Sequence, residues 1–507
     1  MFNLKSLTAM SLLIGMGCST PQAPINIGSR LELMVDNFLI DQIIGSAKLT
    51  LQKPTEREVV FTFDQPWEGS SSGYATIFKD GSIYRMYYRG QDWGGFDKQS
   101  TLFTCYAESK DGINWETPDL GLYEFNGAGN IPWDIPGEPT SDGDYLYHVI
   151  LDESSQNKKE KYKGLFGTLH RKIGISSDGL KWEFPDIPKI PSHDESHLTF
   201  DEQSNQYIAS IKHETQWGRS VYLSTSKNFY EWTEPKLIFH TDEIDNENRI
   251  KRIQFATNHP EYLSPEIIDE TKGGYTAQVY NMAIMPYHGI YIGFPLIFNP
   301  SGPSRGNHDG LNLTELTISR DLHKWDRVAN RELFLGLEKW KWDGSNYATA
   351  QNLITGRPII KEDGEIWIYY NGLRFRARPN SPSDQMNEFL QTHKKMTGIC
   401  LAKLRADGFV SMDAKKQGII ITKPIKINQS KSIHVNIDST SGYFGAEILD
   451  PISMEPLSGY TFENCEKISE NSTNKKINWN TTDTINFETV RLKFILEKSS
   501  LYSFWTN

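Results

Sequence analysis

The chain has 507 residues, of which 64 are acidic and 53 basic, so its formal net charge is −11. This balance, with no basic stripe, argues against a nucleic-acid partner, and beyond the N-terminus no stretch approaches the ~20 apolar residues of a membrane-spanning helix. Four cysteines in a chain of this length do not indicate a disulfide scaffold.

The first eighteen residues, MFNLKSLTAMSLLIGMGC, have the pattern of a secretory signal: a basic start, an apolar run and small residues before Cys18. Because it ends at a cysteine, the segment resembles a bacterial lipoprotein signal, although Gly15 stands where that signal usually has Leu. An ordinary signal peptide with an incidental cysteine is the alternative. We expect export to the bacterial periplasm or outer-membrane surface, with lipidation of Cys18 as the only membrane contact and residues 19–30 as a flexible tether.

A motif Ser-x-(Asp/Asn)-x-x-x-Trp recurs at intervals of roughly 50 to 90 residues, which is typical of one structural unit used repeatedly. Its copies are SKDGINW (109–115), SSDGLKW (176–182), SKNFYEW (226–232) and SRDLHKW (319–325). The Asp or Asn is suited to bond its own turn backbone two residues on, and the Trp to pack into the next layer. The motif therefore predicts a repeated hairpin corner that faces a packed sheet.

An aromatic-rich strand precedes each corner, and a fifth such strand follows the last one. The strands are IYRMYYRG (83–90), KYKGLFGT (161–168), QYIASIKH (206–213), IYIGFPLI (290–297) and IWIYYNGL (366–373). Five small antiparallel sheets around an axis predict an all-β fold, a five-bladed β-propeller, over residues 31–414. Accidental turns in an all-β sandwich are the alternative, and no four-turn helix with an apolar stripe is predicted.

The ends of the repeat region suggest where the ring closes and where a second domain begins. Residues 31–41 (LELMVDNFLID) are predicted as a strand that completes the last blade. After Ala414 the pattern changes to short strands parted by Ser/Asn-rich turns, which predicts an accessory β-sandwich over residues 415–507. The chain also has two long polar insertions, at residues 241–274 and 378–395, which we interpret as binding loops.

These features together resemble glycoside hydrolase families 32 and 43. More closely, the segments MVDNFLID, PWEGSSSGY, MYYRG and KLRADGF resemble uncharacterised bacterial proteins usually grouped beside family 32. The WMNDPNG, RDP and EC motifs of family 32 are absent from the sequence, so that family's invertase and inulinase activities do not transfer. The resemblance implies three carboxylates that project from inner strands into the mouth of the propeller.

Carboxylates suit this chemistry because glycosidic cleavage needs one protonated carboxyl at the leaving oxygen and one ionised carboxylate opposite. Inner strands precede the hairpin strands, which gives the candidate catalytic residues Glu68, Asp194, Glu195 and Asp343. Asp142 and Asp144 are weaker candidates, since an acid directly before Gly, as at Asp142 and Asp343, also suits a turn. Side chains alternate between the two faces of a strand, so only one of Asp194 and Glu195 is expected to face inward, and Asp194 is preferred. We expect the inward-facing acid to share a cavity with Glu68.

The candidate substrate-binding residues are Arg89, Arg219, Arg374, Trp67, Tyr280 and Asn281. Guanidinium groups bind carboxylate or sulfate bidentately, so the arginines, with Arg376 nearby, suit an acidic or sulfated sugar; pairing with structural carboxylates is the alternative. The histidines at 193, 197 and 213 follow no zinc spacing, and we expect no metal and no cofactor.

The sequence therefore predicts an exported glycoside hydrolase that acts on a polysaccharide or oligosaccharide, as a monomer or small homo-oligomer. A non-catalytic, surface-tethered glycan-binding propeller and a glycoside phosphorylase are the alternatives. Hydrolysis requires two functional carboxylates in one mouth, phosphorolysis requires one with a basic patch, and binding requires neither.

Overall fold

The structure is a computed structural model that describes residues 23–65, 67–91, 103–125, 128–131, 146–167, 169–263, 276–301, 309–376, 382–427, 432–480 and 485–507. Cys18, Asp142 and Asp144 lie outside these residues. The chain divides into two compact units: one joins the chain up to Lys48 with Met412–Asn507, and the other is Leu49–Ser411. No helix in the described part is both long and apolar enough to cross a membrane.

Strands dominate both units. The first four are β1 (Ile25–Asn26), β2 (Glu32–Leu33), β3 (Ile40–Leu51) and β4 (Thr55–Thr62). The first sheet of Leu49–Ser411 contains β5 (Gly73–Asp80), β6 (Ile83–Gly90), β7 (Phe103–Ser109) and β8 (Trp115–Glu116) in that order. A two-stranded pair, β9 (Tyr123–Phe125) and β10 (Ala128–Ile131), follows it.

The next two sheets have the same four-stranded order. The second contains β11 (Leu146–Leu151), β12 (Tyr162–Phe166), β13 (His170–Ser176) and β14 (Ile190–Pro191), with a 3₁₀ turn at Lys158–Glu160. The third contains β15 (His193–Asp201), β16 (Gln206–Thr215), β17 (Gly218–Ser226) and β18 (Lys236–Phe239). Helix α1 (Glu243–Asn258) comes next.

The remaining strands of this unit belong to one larger sheet. They are β19 (Gln278–Tyr287), β20 (Ile290–Pro300), β21 (Gly310–Glu315), β22 (Thr317–Ser319), β23 (Trp325–Arg327), β24 (Leu333–Leu335), β25 (Gln351–Ile354), β26 (Ile359–Ile360), β27 (Ile366–Leu373) and β28 (Thr397–Leu404), with a 3₁₀ turn at Ala329–Arg331 and helix α2 (Asp384–Thr392). The antiparallel run β19–β20–β22–β23 is the fourth sheet, and β25–β27–β28–β4 is the fifth. Strand β21 joins them, antiparallel to β20 and parallel to β25.

Apolar cores lie between successive sheets. They join the first sheet to the second, the second to the third and the third to the fourth. A further core joins the fifth sheet back to the first, where Trp367 and Tyr369 pack with Ile77 and Met86. We call the strand with which the order of each of the five sheets begins (β5, β11, β15, β19 and β25) its first strand. The first strands of neighbouring sheets also lie side by side: β5 beside β11, β11 beside β15 and β15 beside β19. The sheets therefore follow one another in a closed series.

The Ser-x-(Asp/Asn)-x-x-x-Trp corners form as predicted. Asp111 Oδ1 accepts hydrogen bonds from the backbone nitrogens of Ile113 and Asn114, both at 2.8 Å, and the other three copies repeat the pair of bonds. The corner tryptophans pack against the cores between sheets. Each corner thus fixes its own turn and fills the adjacent interface.

The predicted closure of the fifth sheet by residues 31–41 is wrong. Strand β4 pairs with β28 instead, with Thr62 opposite Gly398, and its Phe61 packs on the core between the fifth and first sheets. Residues 31–41 belong to the other unit, where β2 pairs with β34 and Leu33 is buried. Both segments are strand-like, and the choice between them depends on pairing with distant residues.

Helix α1, with 16 residues, was not located from the sequence, and it does not contradict the prediction, which concerned only helices of four turns with an apolar stripe. Its buried face contains Asp245 and Arg249 beside Ile253 and Ala256, so an apolar stripe is missing. Asp242 caps the helix by accepting from the backbone nitrogens of the first turn. Ion pairs, such as that of Asp245 with an arginine at 2.6 Å, hold this face in place.

The other unit contains β29 (Val410–Thr422), β30 (Ile425–Lys426), β31 (Ile433–Asp438), β32 (Tyr443–Leu449), β33 (Asn471–Lys476) and β34 (Thr489–Thr506). With β1, β2 and β3 they form a nine-stranded sheet around the 18-residue strand β34. Because β1 pairs in parallel with Ile425–Lys426, the described part of residues 19–30 is not a free tether. The unit boundary at Ser411 lies three residues before the predicted one.

Candidate active site

Four of the five first strands contain a β-bulge near their beginning. At each bulge the first strand has one or two residues that have no paired residue on the neighbouring strand. The extra residues are Tyr74 or Ala75 in β5, Tyr147 in β11, Asp194 and Glu195 in β15, and Tyr280 in β19. Bulges re-aim side chains and are frequent beside active sites. We define the tyrosines and acids at these bulges, with the cations that contact them, as the candidate active site.

The acid pair occupies a two-residue bulge. His193 pairs with Lys212 and Ser196 pairs with Ile211, so Asp194 and Glu195 of β15 have no paired residue on β16. Asp194 also has a left-handed backbone, with φ of 42°, which Asp tolerates better than most residues. Strand alternation therefore does not apply here, and both carboxylates enter one cluster. The prediction that only one of them faces inward is wrong because it assumed a regular strand.

Glu195 is the buried member of the pair. Arg89 Nη2 donates to both of its carboxylate oxygens, at 2.9 and 3.1 Å, and both side chains are about 5% exposed. The Arg89 guanidinium lies over Tyr74 at 3.7 Å and over Tyr147 at 4.8 Å from the ring centres. Burial raises the pKa of Glu195 to about 7, against the attraction of Arg89. Glu195 is thus an acid that changes its protonation near neutral pH.

Asp194 is the accessible member, with 47% of its side chain exposed. Lys212 Nζ donates to its Oδ2 at 2.8 Å and lies 4.2 Å from the centre of the Tyr280 ring. Burial raises the pKa of Asp194, but the Lys212 ammonium outweighs it, and a hydrogen bond with Glu195 lowers the pKa further. The two neighbouring acids therefore have pKa values displaced in opposite directions.

Two further arginines lie on the far side of Tyr280, whose hydroxyl is 2.8 Å from that of Tyr74. The guanidinium carbons of Arg219 and Arg376 are 5.2 and 4.9 Å from the centre of the Tyr280 ring. The predicted residues Arg89, Arg219 and Tyr280 thus meet at one place with the acid pair. With Lys212 and Arg376 they make this part of the described structure rich in cations.

The floor of the site is neutral. Asn281, the next residue after Tyr280, accepts a hydrogen bond at 2.8 Å from His197 Nε2, and His197 packs edge-on against His148 with ring centres 4.9 Å apart. Burial lowers the pKa of His197 to about 4, so the ring is uncharged at neutral pH. Asn281, a predicted substrate-binding residue, is thus bonded to this floor.

The structure separates Glu68 from the acid pair. Tyr88 donates its hydroxyl proton to Glu68 Oε1, and the backbone nitrogen of Gln65 donates to Oε2 at 2.7 Å. Tyr88 belongs to the core between the fifth and first sheets, whereas Arg89, the next residue of the regular strand β6, points to the opposite face and binds Glu195. Burial raises the pKa of Glu68 to about 7. The prediction that Glu68 shares a cavity with the acid of β15 is therefore contradicted.

Three other predicted residues have structural roles. Asp343 is exposed and accepts from the backbone nitrogen of Ser345 at 2.9 Å, so it serves the turn. Trp67 is 2% exposed and lies in the core between the fifth and first sheets, where no sugar reaches it. All three guanidinium nitrogens of Arg374 donate to backbone carbonyls, which leaves it buried as a backbone support. The prediction that Asp343 is catalytic and the prediction that Trp67 and Arg374 bind substrate are therefore wrong.

Sequence reasoning missed Tyr74, Tyr147 and Lys212. The two tyrosines read as core residues, and Lys212 lies within an ordinary hairpin strand. A signal is present, because the first strands GYAT, LYHV and QVYN each place a tyrosine before a small or polar residue. Aligning the first strands with one another would have brought these tyrosines and Glu195 to one position.

A cavity of about 430 Å³ lies toward the other ends of the first strands, lined by residues such as Thr76, His148 and Thr199. The acid pair is not part of its lining. Arg357 at its edge forms an ion pair with Glu202 at 2.7 Å.

Comparisons with known proteins give structural likeness only. No family model and no curated protein matches the chain. Among solved structures, one titled "Glycoside hydrolase" is 16% identical over 69% of this chain and 92% of its own, with a TM-score of 0.41. A Bombyx mori GH32 beta-fructofuranosidase is 9% identical over 89% and 94%, with a TM-score of 0.39. A structure from the GH130 family of mannoside phosphorylases, described as containing glycoside hydrolases, is 13% identical over 72% and 96%, with a TM-score of 0.40.

The resemblance to glycoside hydrolase structures is therefore confirmed, at a distance too great to carry an argument about function. The assignment of an activity rests on the residues of this chain.

Proposed function

We propose that Leu49–Ser411 is a five-bladed β-propeller whose last blade is completed by β4, and that the other unit is an accessory β-sandwich. Cores join the first four sheets in order and the fifth sheet to the first, and β21 joins the fourth to the fifth, which supports five blades. In this arrangement the bulged ends of the first strands meet at one mouth of the ring. The candidate active site then lies at that mouth.

We further propose that the chain is a glycoside hydrolase that acts on a polysaccharide or oligosaccharide. The observation that carries this proposal is the acid pair, in which Glu195 has a pKa of about 7 and Asp194 a lowered pKa. Two acids whose surroundings displace their pKa values in opposite directions are suited to separate acid and base roles. Glu195 would donate a proton to the leaving glycosidic oxygen, and ionised Asp194 would stabilise developing positive charge or orient water.

The contact between the two acids favours a second candidate. Retaining and inverting hydrolases hold their carboxyls about 5 to 5.5 Å or 6.5 to 9.5 Å apart, whereas Asp194 and Glu195 are consecutive residues of one bulge and each alters the pKa of the other. Such a pair supplies one proton donor, and Lys212 and Arg219 provide a basic surrounding. This combination suits a glycoside phosphorylase, in which phosphate takes the place of activated water.

A single experiment separates these activities. The purified protein is incubated with plant and algal glycans, with and without inorganic phosphate, and the products are analysed. Free reducing sugar that forms without phosphate supports hydrolysis, and sugar phosphate that forms only with phosphate supports phosphorolysis. Glycan binding without product, in both the wild type and Glu195→Gln, would replace the enzyme with a binding module. Glu202→Gln, an exposed acid outside the site, is the matched control.

We also propose that the protein is exported and anchored through a lipid on Cys18. The support is the signal-like sequence of residues 1–18. Metabolic labelling with a radioactive fatty acid, with Cys18→Ser as control, tests the anchor. Label in both proteins or in neither contradicts lipidation at this residue.

A further inference from the structure

Arg219 and Arg376 converge on the same pair of rings from different parts of the chain. Arg219 is the second residue of β17 and Arg376 follows β27. Their guanidinium carbons nevertheless lie 5.2 and 4.9 Å from the centre of the Tyr280 ring, and both lie 5.1 Å from the centre of the Phe298 ring. We call these two cations, which lie over the same pair of aromatic rings, the clamp. Each side chain is also fixed in place, so the clamp is preorganised.

The anchors of the clamp are neutral. Arg219 Nε donates to Gln278 Oε1 at 2.7 Å, and Arg376 Nη1 donates to Gln351 Oε1 at 2.8 Å. Each glutamine is the first residue of its strand, β19 or β25. A glutamine oxygen positions a guanidinium without cancelling its charge. The glutamine anchor therefore leaves the charge of Arg219 in place.

Arg219 has an unused donor in this clamp. Its Nη2 is buried, and no acceptor lies within hydrogen-bond distance among the residues that the structure describes. Within the same residues no carboxylate forms an ion pair with Arg219, whereas Lys212 is paired with Asp194 and Arg89 with Glu195. A buried, unpaired guanidinium donor is costly unless a ligand satisfies it.

We propose that Arg219 and Arg376 bind an oxyanion beside the acid pair, either a carboxylate or sulfate carried by the sugar or inorganic phosphate. Planar guanidinium groups present paired N–H donors that match the oxygens of these anions. Arg219 and Lys212, the partner of Asp194, contact the same Tyr280 ring, so an anion held by the clamp would lie close to the acid pair. The proposal rests on the proposed glycoside-cleaving function for its choice of substrate class.

Binding is measured without turnover, so that failure of this proposal and failure of the enzyme assignment are distinguishable. Isothermal titration calorimetry at low ionic strength uses inorganic phosphate, inorganic sulfate, sodium D-galacturonate and, as the neutral probe, D-galactose. We expect the wild type to bind at least one anion and Arg219→Gln to bind it about 10- to 100-fold more weakly, the loss expected when a charge-assisted hydrogen bond is removed. Arg357→Gln, a cation at the other end of the first strands, is the matched control and should bind like the wild type.

The pattern of anions identifies the source. Tight binding of phosphate alone assigns the clamp to a phosphate substrate, and preference for galacturonate or sulfate assigns it to an acidic or sulfated sugar. Arg219→Lys, which keeps the charge without the fork, shows whether geometry matters if Arg219→Gln unfolds. The proposal is overturned if the wild type binds none of the anions, or if folded Arg219 variants bind them as tightly as the wild type.

Discussion

Replacing Glu195 with Gln tests the central assignment, that this residue is the proton donor. The amide keeps the size of the side chain and can still accept a hydrogen bond from Arg89, but it cannot donate a proton of suitable pKa. General acid catalysis is typically worth about 10² to 10⁴ in rate. We therefore expect turnover to fall by about this factor while glycan affinity changes little.

The same substitution changes how stability depends on pH. Burial raises the pKa of Glu195 from its ordinary value of 4.5 to about 7, so between these values the folded state binds more protons than the unfolded state. The stabilisation is complete below about pH 4.5 and is lost as the pH rises through about 7. At about 1.4 kcal/mol for each pH unit, the difference sets an upper limit of about 3.5 kcal/mol.

Urea unfolding at pH 5 and pH 8 measures this effect for the wild type, Glu195→Gln and the control Glu202→Gln. The wild type and the control should lose more free energy of unfolding between the two pH values than Glu195→Gln does. The product assay, run over the same pH range, measures turnover. The reasoning is refuted if the free energy of unfolding of Glu195→Gln changes between pH 5 and pH 8 as much as that of the wild type, and the variant keeps more than a tenth of wild-type turnover.

Three further substitutions test the other placements. Glu68→Gln should also flatten the fall in stability between pH 5 and 8, since burial raises the pKa of Glu68 to about 7, but turnover should stay within about threefold of wild type; a hundredfold loss of turnover would return Glu68 to the active site. Asp343→Asn should leave both turnover and the urea concentration at the midpoint of unfolding unchanged, and a clear loss of either contradicts its role in an exposed turn. Asp111→Ala removes the acceptor of two backbone hydrogen bonds and should cost about 1 to 2 kcal/mol in urea unfolding; no measurable loss would show that the corner does not need its Asp.

The repeated corners were predictable because their geometry is local. The Asp or Asn reaches backbone nitrogens two and three residues away, and this contact depends on nothing outside the turn. The closing strand was not predictable in the same way. Residues 31–41 and β4 are both strand-like, and only pairing with β28, more than 300 residues later, distinguishes them. Helix α1 was not predicted from the sequence because charged residues on its buried face interrupt the apolar periodicity.

The site was predictable in part for a related reason. Acids on strands are conspicuous, so Asp194 and Glu195 could be found, and so could Glu68, which has a similar pKa in a different place. Sequence does not show register, and a bulge exists only relative to the partner strand. The extra two residues that turn both acids to one cluster became visible only when β15 was paired with β16.

The bulges explain how a repeated sheet places one pair of acids at a position that differs from its counterparts. In β5, β11 and β19 the bulged region carries a tyrosine, and in β15 it carries the acid pair. Tyr74 and Tyr147 pack on Arg89, the partner of Glu195, at this buried position. Burial raises the pKa of Glu195, while Arg89 limits that rise. With burial alone the carboxyl would hold its proton too tightly to donate it, and with the cation alone it would have no proton to give at neutral pH. The two opposing effects leave Glu195 near the pKa at which an acid catalyst works best in neutral solution.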